Sequence, residues 1–146
     1  MTKSKRFEPI RDIATNSAKD LSIAVGEAAR RVAEIERALE QLKAYRDEYT
    51  RESGGAVGTF DAVRLQNYRS FLDRLGEAMR LQSQMLVAAR AEYDKCHALW
   101  SAKRIEAESL DRAVGRFRCE EQRDADRREQ REVDDSPLRI SLGRRI

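Results

Sequence analysis

The residues that could carry chemistry in this chain are few and widely spaced. His97 is the only histidine and adjoins Cys96, while the second thiol, Cys119, lies further along the sequence. A single His–Cys pair does not supply the four ligands of a structural zinc site. Two cysteines this far apart on one helix cannot form a disulfide, because their Cα atoms are too distant. We therefore predict no metal site, a solvated His97 and two reduced thiols.

Two other features superficially resemble catalytic or nucleotide-binding elements. The glycine-rich segment 54–59 is similar to a phosphate-binding loop, but it lacks the Lys-Ser/Thr pair and no strand precedes it. The acidic pairs Glu120-Glu121 and Asp134-Asp135 fall on predicted helix surfaces, where burial cannot raise a carboxyl pKa. The sequence therefore predicts no cofactor and no enzymatic activity.

The elements that position these residues are two long helices. Charged residues make up 38% of the 146-residue chain and aromatic residues only 6%, which favours a coiled coil over a layered globule. Apolar residues recur at alternating steps of three and four from Leu65 to Phe117. An earlier stretch repeats the pattern at Ala14, Ala18, Leu21, Val25, Ala28, Val32, Ile35, Leu39, Leu42, Arg46 and Tyr49. This period of 3.5 residues predicts an all-α fold, a long two-helix antiparallel coiled-coil hairpin with a C-terminal helical overhang.

Local signals set the predicted boundaries. Pro9 suits the first turn of a helix, the glycines between Ser53 and Gly58 end that helix, and Thr59 offers a hydroxyl to cap the next one. The predicted organisation is a flexible N-terminus at 1–7, an antiparallel coiled coil at 8–134 and a disordered basic tail at 135–146. Within the coiled coil we expect helix one at 8–52, a loop at 53–59 and helix two at 60–134.

The helix register follows from a short connection. If Tyr49 faces Leu65, then Leu42 faces Leu72 and Ala14 faces Trp100, although a slip of one heptad would preserve the pattern. The next layer would place Arg11 against Lys103, so the pair should loosen there. Beyond residue 106 helix two would then have no partner in the chain, and this stretch must fray, dimerise or dock elsewhere.

One flank of the hairpin is unusually apolar. With Val25 and Leu65 as position a of their heptads, the g positions, which are usually charged, include Ala38, Tyr45, Phe71, Ala78 and Met85. Apolar patches bounded by charge often mark interaction sites. Docking of a partner, a widened core in which Tyr45 and Phe71 cover each other, and self-association all stay open.

Two segments beside the glycine-rich break are more specific. Residues 41–49 read Gln-Leu-Lys-Ala-Tyr-Arg-Asp-Glu-Tyr, and residues 65–75 read Leu-Gln-Asn-Tyr-Arg-Ser-Phe-Leu-Asp-Arg-Leu. Together with the Phe-Glu-Pro-Ile start at 7–10, Trp100 with Lys103-Arg104, and the charged segment 128–132, they resemble the bacterial flagellar export protein FliJ family over residues 7–134. The tail after Ser136 departs from the family's usual ending.

The resemblance implies a cytoplasmic coiled coil similar to the central stalk of rotary ATP synthases. Such proteins insert into the hexameric ring of the export ATPase FliI, promote its assembly and contact the export gate FlhA; they are also described as chaperones of the type III export apparatus. FliH and substrate chaperones are further expected partners. The implied location is cytoplasmic and peripheral, at the cytoplasmic face of the inner membrane.

The resemblance also implies sites on this chain. The gate-binding surface would comprise Leu42, Tyr45, Tyr49, Phe71, Leu75 and Ala78. Because the stretch beyond residue 106 is expected to be unpartnered, we assign the ATPase-ring contacts to Leu110, Val114, Phe117, Arg123 and Arg127.

Three other functions compete with an export stalk. A generic cytosolic coiled-coil adaptor would bind through the apolar flank without affecting ATP hydrolysis, and the stalk of a virulence type III secretion system would differ only in its partners. A nucleic-acid binder would use the C-terminal arginines, but interleaved acids and a net charge of only +3 argue against it. We therefore expect no binding of nucleic acid. We also expect no membrane insertion, since the chain has no long apolar run.

Overall fold

The computed structural model describes residues 1–54 and 61–136. These ranges contain two helices, α1 (Lys3–Gly54) and α2 (Ala62–Asp134), and no strand. The predicted all-α, two-helix antiparallel hairpin is therefore confirmed. In the same ranges neither helix has a stretch long and apolar enough to cross a membrane.

Helix α1 begins earlier than the sequence pattern predicted. It starts at Lys3 rather than at residue 8, and the Lys5 backbone N–H donates to Thr2 Oγ1 at 3.4 Å in an N-cap arrangement. Pro9 consequently lies inside the helix, where it removes one backbone hydrogen bond. Most of the segment 1–7, which was predicted to be flexible, therefore belongs to α1, and Ser4 and Phe7 contact α2 as described below.

Helix α2 is capped by a residue other than the predicted one. Asp61 Oδ1 accepts a hydrogen bond of 2.8 Å from the Arg64 backbone N–H, so Asp61 is the N-cap. The predicted cap, Thr59, and most of the predicted loop at 53–59 lie outside the described residues. The predicted basic tail likewise lies outside them from residue 137 onwards.

The chain divides into two units, and the central unit comprises Asp20–Trp100. Its core contains the buried residues Ile35, Leu39, Leu86 and Ala89, with Val32 and Met79 packed against them. The Arg90 guanidinium forms an ion pair of 3.0 Å with Glu36 across the two helices. The apolar residues that recur at steps of three and four form one stripe along each helix, which we call the seam. The seams of the two helices face each other, as the heptad pattern requires.

The terminal unit comprises Met1–Lys19 and Ser101–Ile146, of which residues up to Ser136 are described. Its buried apolar residues are Ala14, Ala18, Ala107 and Val114. Val114 is only 1% exposed. The start of α1 therefore packs against a part of α2 that was expected to be unpartnered.

The predicted register is wrong in both units, where the cross-helix ion pairs lie one to two heptads further along α2 than that register requires. Arg11 forms an ion pair of 3.5 Å with Asp111 instead of facing Lys103. In the central unit Glu36 pairs with Arg90, whereas the predicted register would place it opposite Ala78. The slip keeps the same faces buried, replaces a like-charge contact with an ion pair, and buries Val114.

The predicted C-terminal overhang is confirmed, but it is shorter than expected. Helix α2 contacts α1 as far as Glu121, so the stretch from residue 107 to residue 121 is paired. Every residue from 122 to 135 is exposed.

Candidate partner-binding surfaces

An aromatic cluster lies in the central unit, on the turns nearest the connection between the helices. Tyr49 stacks on Tyr68 with ring centroids 5.3 Å apart, and it contacts Phe71 at 4.4 Å. Tyr45 approaches Phe71 edge-on at 5.8 Å. Edge-to-face and offset-stacked rings are the favoured aromatic geometries, so this cluster joins the two helices.

The predicted gate-binding residues differ in how much surface they present. Leu75 is buried at 8% exposure, whereas Tyr45 is 54% exposed. The remaining four are half-buried: Leu42, Tyr49, Phe71 and Ala78. Tyr45 therefore offers the largest accessible side chain of this set, and Leu75 holds the helices together. Tyr45 and Phe71 do contact each other, yet the contact leaves about half of Tyr45 accessible.

The apolar surface extends beyond the predicted set. Leu81 and Met85 are 48% and 43% exposed, and Ala88 is also exposed. With Ala78 they follow steps of three and four, so they lie along one face of α2. Met85 belonged to the predicted flank, but Leu81 did not. The signal in the sequence is the spacing of three residues between Ala78 and Leu81, because Leu81 does not occupy a g position.

The predicted ring-binding residues fall into two groups. Leu110 and Phe117 are half-buried and Val114 is buried, so these three face α1. The ring of Phe117 lies 5.2 Å from that of Phe7, with the Lys3 ammonium 5.7 Å from its centroid. Arg123 and Arg127 are exposed. The expectation that the apolar members lack a partner within the chain is therefore wrong.

A polar clamp joins the start of α1 to α2 in the terminal unit. Glu121 accepts hydrogen bonds from the Ser4 backbone N–H at 3.0 Å and from the Ser4 hydroxyl at 2.6 Å. These bonds satisfy a free N–H in the first turn and place a carboxylate at the positive end of the helix dipole. They hold the pKa of Glu121 below its usual range, the hydroxyl bond more than the backbone bond. Arg118 adds an ion pair with Glu8.

The thiols and the histidine do not form a site together. Over residues 1–54 and 61–136, no three His, Cys, Asp or Glu side chains cluster in a way that could hold a metal ion. Cys96 and Cys119 are both free thiols. The pKa of the Cys96 thiol is raised, first by partial burial and then by the nearby Glu92 carboxylate. His97 is exposed and lies between two rings, at 5.9 Å from Tyr93 and 5.5 Å from Trp100.

Comparison with known proteins gives one match. The family described as Flagellar FliJ protein matches residues 3–145, which is nearly the whole chain. No curated protein and no solved structure matches it. The match includes both helices, the aromatic cluster and the polar clamp. The chain therefore belongs to the FliJ family, a non-enzymatic component of the flagellar export apparatus.

Proposed function

We propose that this chain is a stalk and chaperone component of flagellar export that inserts into the FliI ATPase ring, promotes its assembly and links it to the FlhA gate. The observation that carries the proposal is the family match over residues 3–145, which includes both units. The chain itself would catalyse no reaction, so its effect on ATP hydrolysis would come from binding alone.

The ring contacts belong to the terminal unit in this proposal. Val114 and Phe117 would act indirectly, because they pack on α1 and fix the helix pair that enters the ring. Direct contacts would come from exposed side chains such as Arg123 and Arg127. A slim pair of charged helices can meet several ring subunits without forming a permanent bond to one.

The gate contacts belong to the central unit. Tyr45, Phe71 and Ala78 would touch FlhA, with Leu42, Tyr49 and Leu75 holding the helices that present them. Support comes from the 54% exposure of Tyr45 beside a packed aromatic cluster. Partly exposed tyrosines on a rigid support are common anchors in protein interfaces. Binding of FliH and substrate chaperones, and a peripheral location at the cytoplasmic face of the inner membrane, stay predictions.

The decisive test is ATP hydrolysis by FliI from the same organism, measured with and without this chain. We expect stimulation that rises with the fraction of FliI in hexamers, measured in parallel by light scattering. An unrelated coiled coil of similar length and charge is the control for nonspecific stabilisation. No stimulation by folded protein and competent FliI would contradict the ring proposal, and FlhA binding without it would favour the adaptor alternative.

A further inference from the structure

A positively charged face lies on the side of α2 that points away from α1 in the terminal unit. It consists of Arg112, Arg116, Cys119 and Arg123, and we call it the arginine face. These residues are spaced by four, three and four, so they share one side of the helix. Val114 and Phe117 are on the opposite side of α2, packed towards α1. The arginine face therefore plays no part in holding the two helices together.

The three arginines of this face have no carboxylate partner among the described residues. All three are exposed and none forms an ion pair there. Other arginines of the same unit do pair, for example Arg11 with Asp111 and Arg118 with Glu8. The unpaired guanidinium groups span about 16 Å of helix at 1.5 Å per residue. Their donors are available to an external partner.

The shape of the arginine face leaves room for a partner segment to approach α2 closely. A shallow groove runs along it, lined also by Ser109, Gly115 and Glu120. A Cβ atom added at Gly115 would meet nothing within 4 Å, so packing does not require glycine there. Glycine weakens a helix interior relative to alanine. Because glycine has no side chain, it leaves this part of the groove open.

We propose that the arginine face binds an acidic protein segment whose carboxylates follow the spacing of the three arginines. The planar guanidinium group binds a carboxylate through two parallel hydrogen bonds, which makes arginine suited to this partner. Glu120 in the groove and Asp126 further along the same side interrupt the positive charge, which disfavours a continuous phosphate backbone more than a short segment with separate carboxylates. The inference rests on the proposed function, since the acidic segment would belong to the ATPase ring.

The test neutralises the face without changing helix propensity. In the full-length chain, Arg112→Gln, Arg116→Gln and Arg123→Gln are combined, because glutamine and arginine are similar helix formers. The matched control combines Arg30→Gln, Arg31→Gln and Arg64→Gln, which removes the same charge from exposed arginines of the central unit that have no ion pair with any described residue. Binding to FliI is measured at low and high salt. We expect the face variant to bind at least about tenfold more weakly at low salt and to lose most of its salt dependence, with less than about twofold change in the control.

Thiol labelling gives a second readout at the same face. Cys119 is exposed within it, and the half-buried Cys96 of the central unit serves as the internal reference. We expect FliI to slow alkylation of Cys119 but not of Cys96. Unchanged Cys119 alkylation, or a face variant that binds like the wild type, would overturn the arginine face and leave the stalk proposal intact. Failure of the wild type to bind FliI would overturn both, and tighter binding to a single-stranded DNA probe than to FliI would identify the partner class as wrong.

Discussion

Replacing Val114 with alanine tests the packing of the terminal unit and the helix register together. Val114 is 1% exposed, so the substitution removes two fully buried methyl groups. The lost transfer free energy is about 0.8 kcal/mol per group, and the cavity adds to it, for a total of about 2 kcal/mol. The higher helix propensity of alanine offsets about 0.5 kcal/mol. We therefore expect the free energy of unfolding to fall by about 1.5 kcal/mol.

Val87 provides a matched control, because the same substitution there removes methyl groups that are already in water. Its side chain is 69% exposed, and only the helix propensity of alanine should act. We expect Val87→Ala to leave the free energy of unfolding unchanged or to raise it by a few tenths of a kcal/mol. In the register predicted from the sequence, Val114 has no partner helix, so both variants would then behave alike.

Thermal and urea unfolding followed by circular dichroism measure the difference. For a chain of this size, a loss of about 1.5 kcal/mol corresponds to a fall in Tm of about 3–6 °C. The urea midpoint should fall with an unchanged slope, since the same surface is exposed on unfolding. Equal midpoints for the two variants would refute the observed pairing of Val114 with α1.

Two further predictions concern one candidate surface and the polar clamp. Tyr45→Ser should weaken FlhA binding with little change in Tm, because Tyr45 is 54% exposed. Tyr49→Ser should lower Tm, because its ring packs on Tyr68 and Phe71 of α2. A large fall in Tm with no separate binding defect in Tyr45→Ser would make Tyr45 a core residue. Ser4→Ala should accelerate amide hydrogen exchange in the first turns of α1 at pH 7. The folded state lowers the pKa of Glu121, so the clamp stabilises the fold above the unfolded-state pKa of about 4.3 and is lost as the pH falls through the lower folded value. The difference in exchange between the variant and the wild type should therefore shrink as the pH falls through that lower value, and a difference that stays constant would show that the charge on Glu121 is not responsible.

The fold could be predicted from the sequence because one pattern determines it. Alternating steps of three and four place the same residues on the buried side of each helix, whichever residues they face. The predicted seam contains the observed core, including Ile35, Leu39, Leu86 and Ala89. Register is different, because a slip of one heptad returns every seam residue to the seam. Only contacts between individual side chains of the two helices distinguish the alternative registers. The ion pair between Glu36 and Arg90 is one such contact, and apolar periodicity does not specify it.

The start of α1 could not be predicted for a related reason. A proline in position 9 favours a helix that begins nearby, and nothing local contradicts this. The helix nevertheless begins at Lys3. The Glu121 carboxylate accepts a hydrogen bond from the Ser4 backbone N–H in the first turn, and Phe7 packs on Phe117. These contacts join residues more than a hundred positions apart in sequence. They exist only in the correct register, so one wrong assumption about pairing also misplaced the end of the helix.

Pairing also determines which side chains of this chain can meet another protein. Apolar periodicity identifies the side of a helix that its partner covers, and residues chosen by it, such as Val114 and Leu75, are buried by the fold itself. A partner reaches the remaining sides, where the useful signal is charge without a counter-charge or an apolar residue outside the seam. Arg112, Arg116 and Arg123 satisfy the first condition, and Leu81 satisfies the second. Sequence spacing alone places Leu81 outside the seam, whereas the register decides which arginines acquire a carboxylate partner from the other helix.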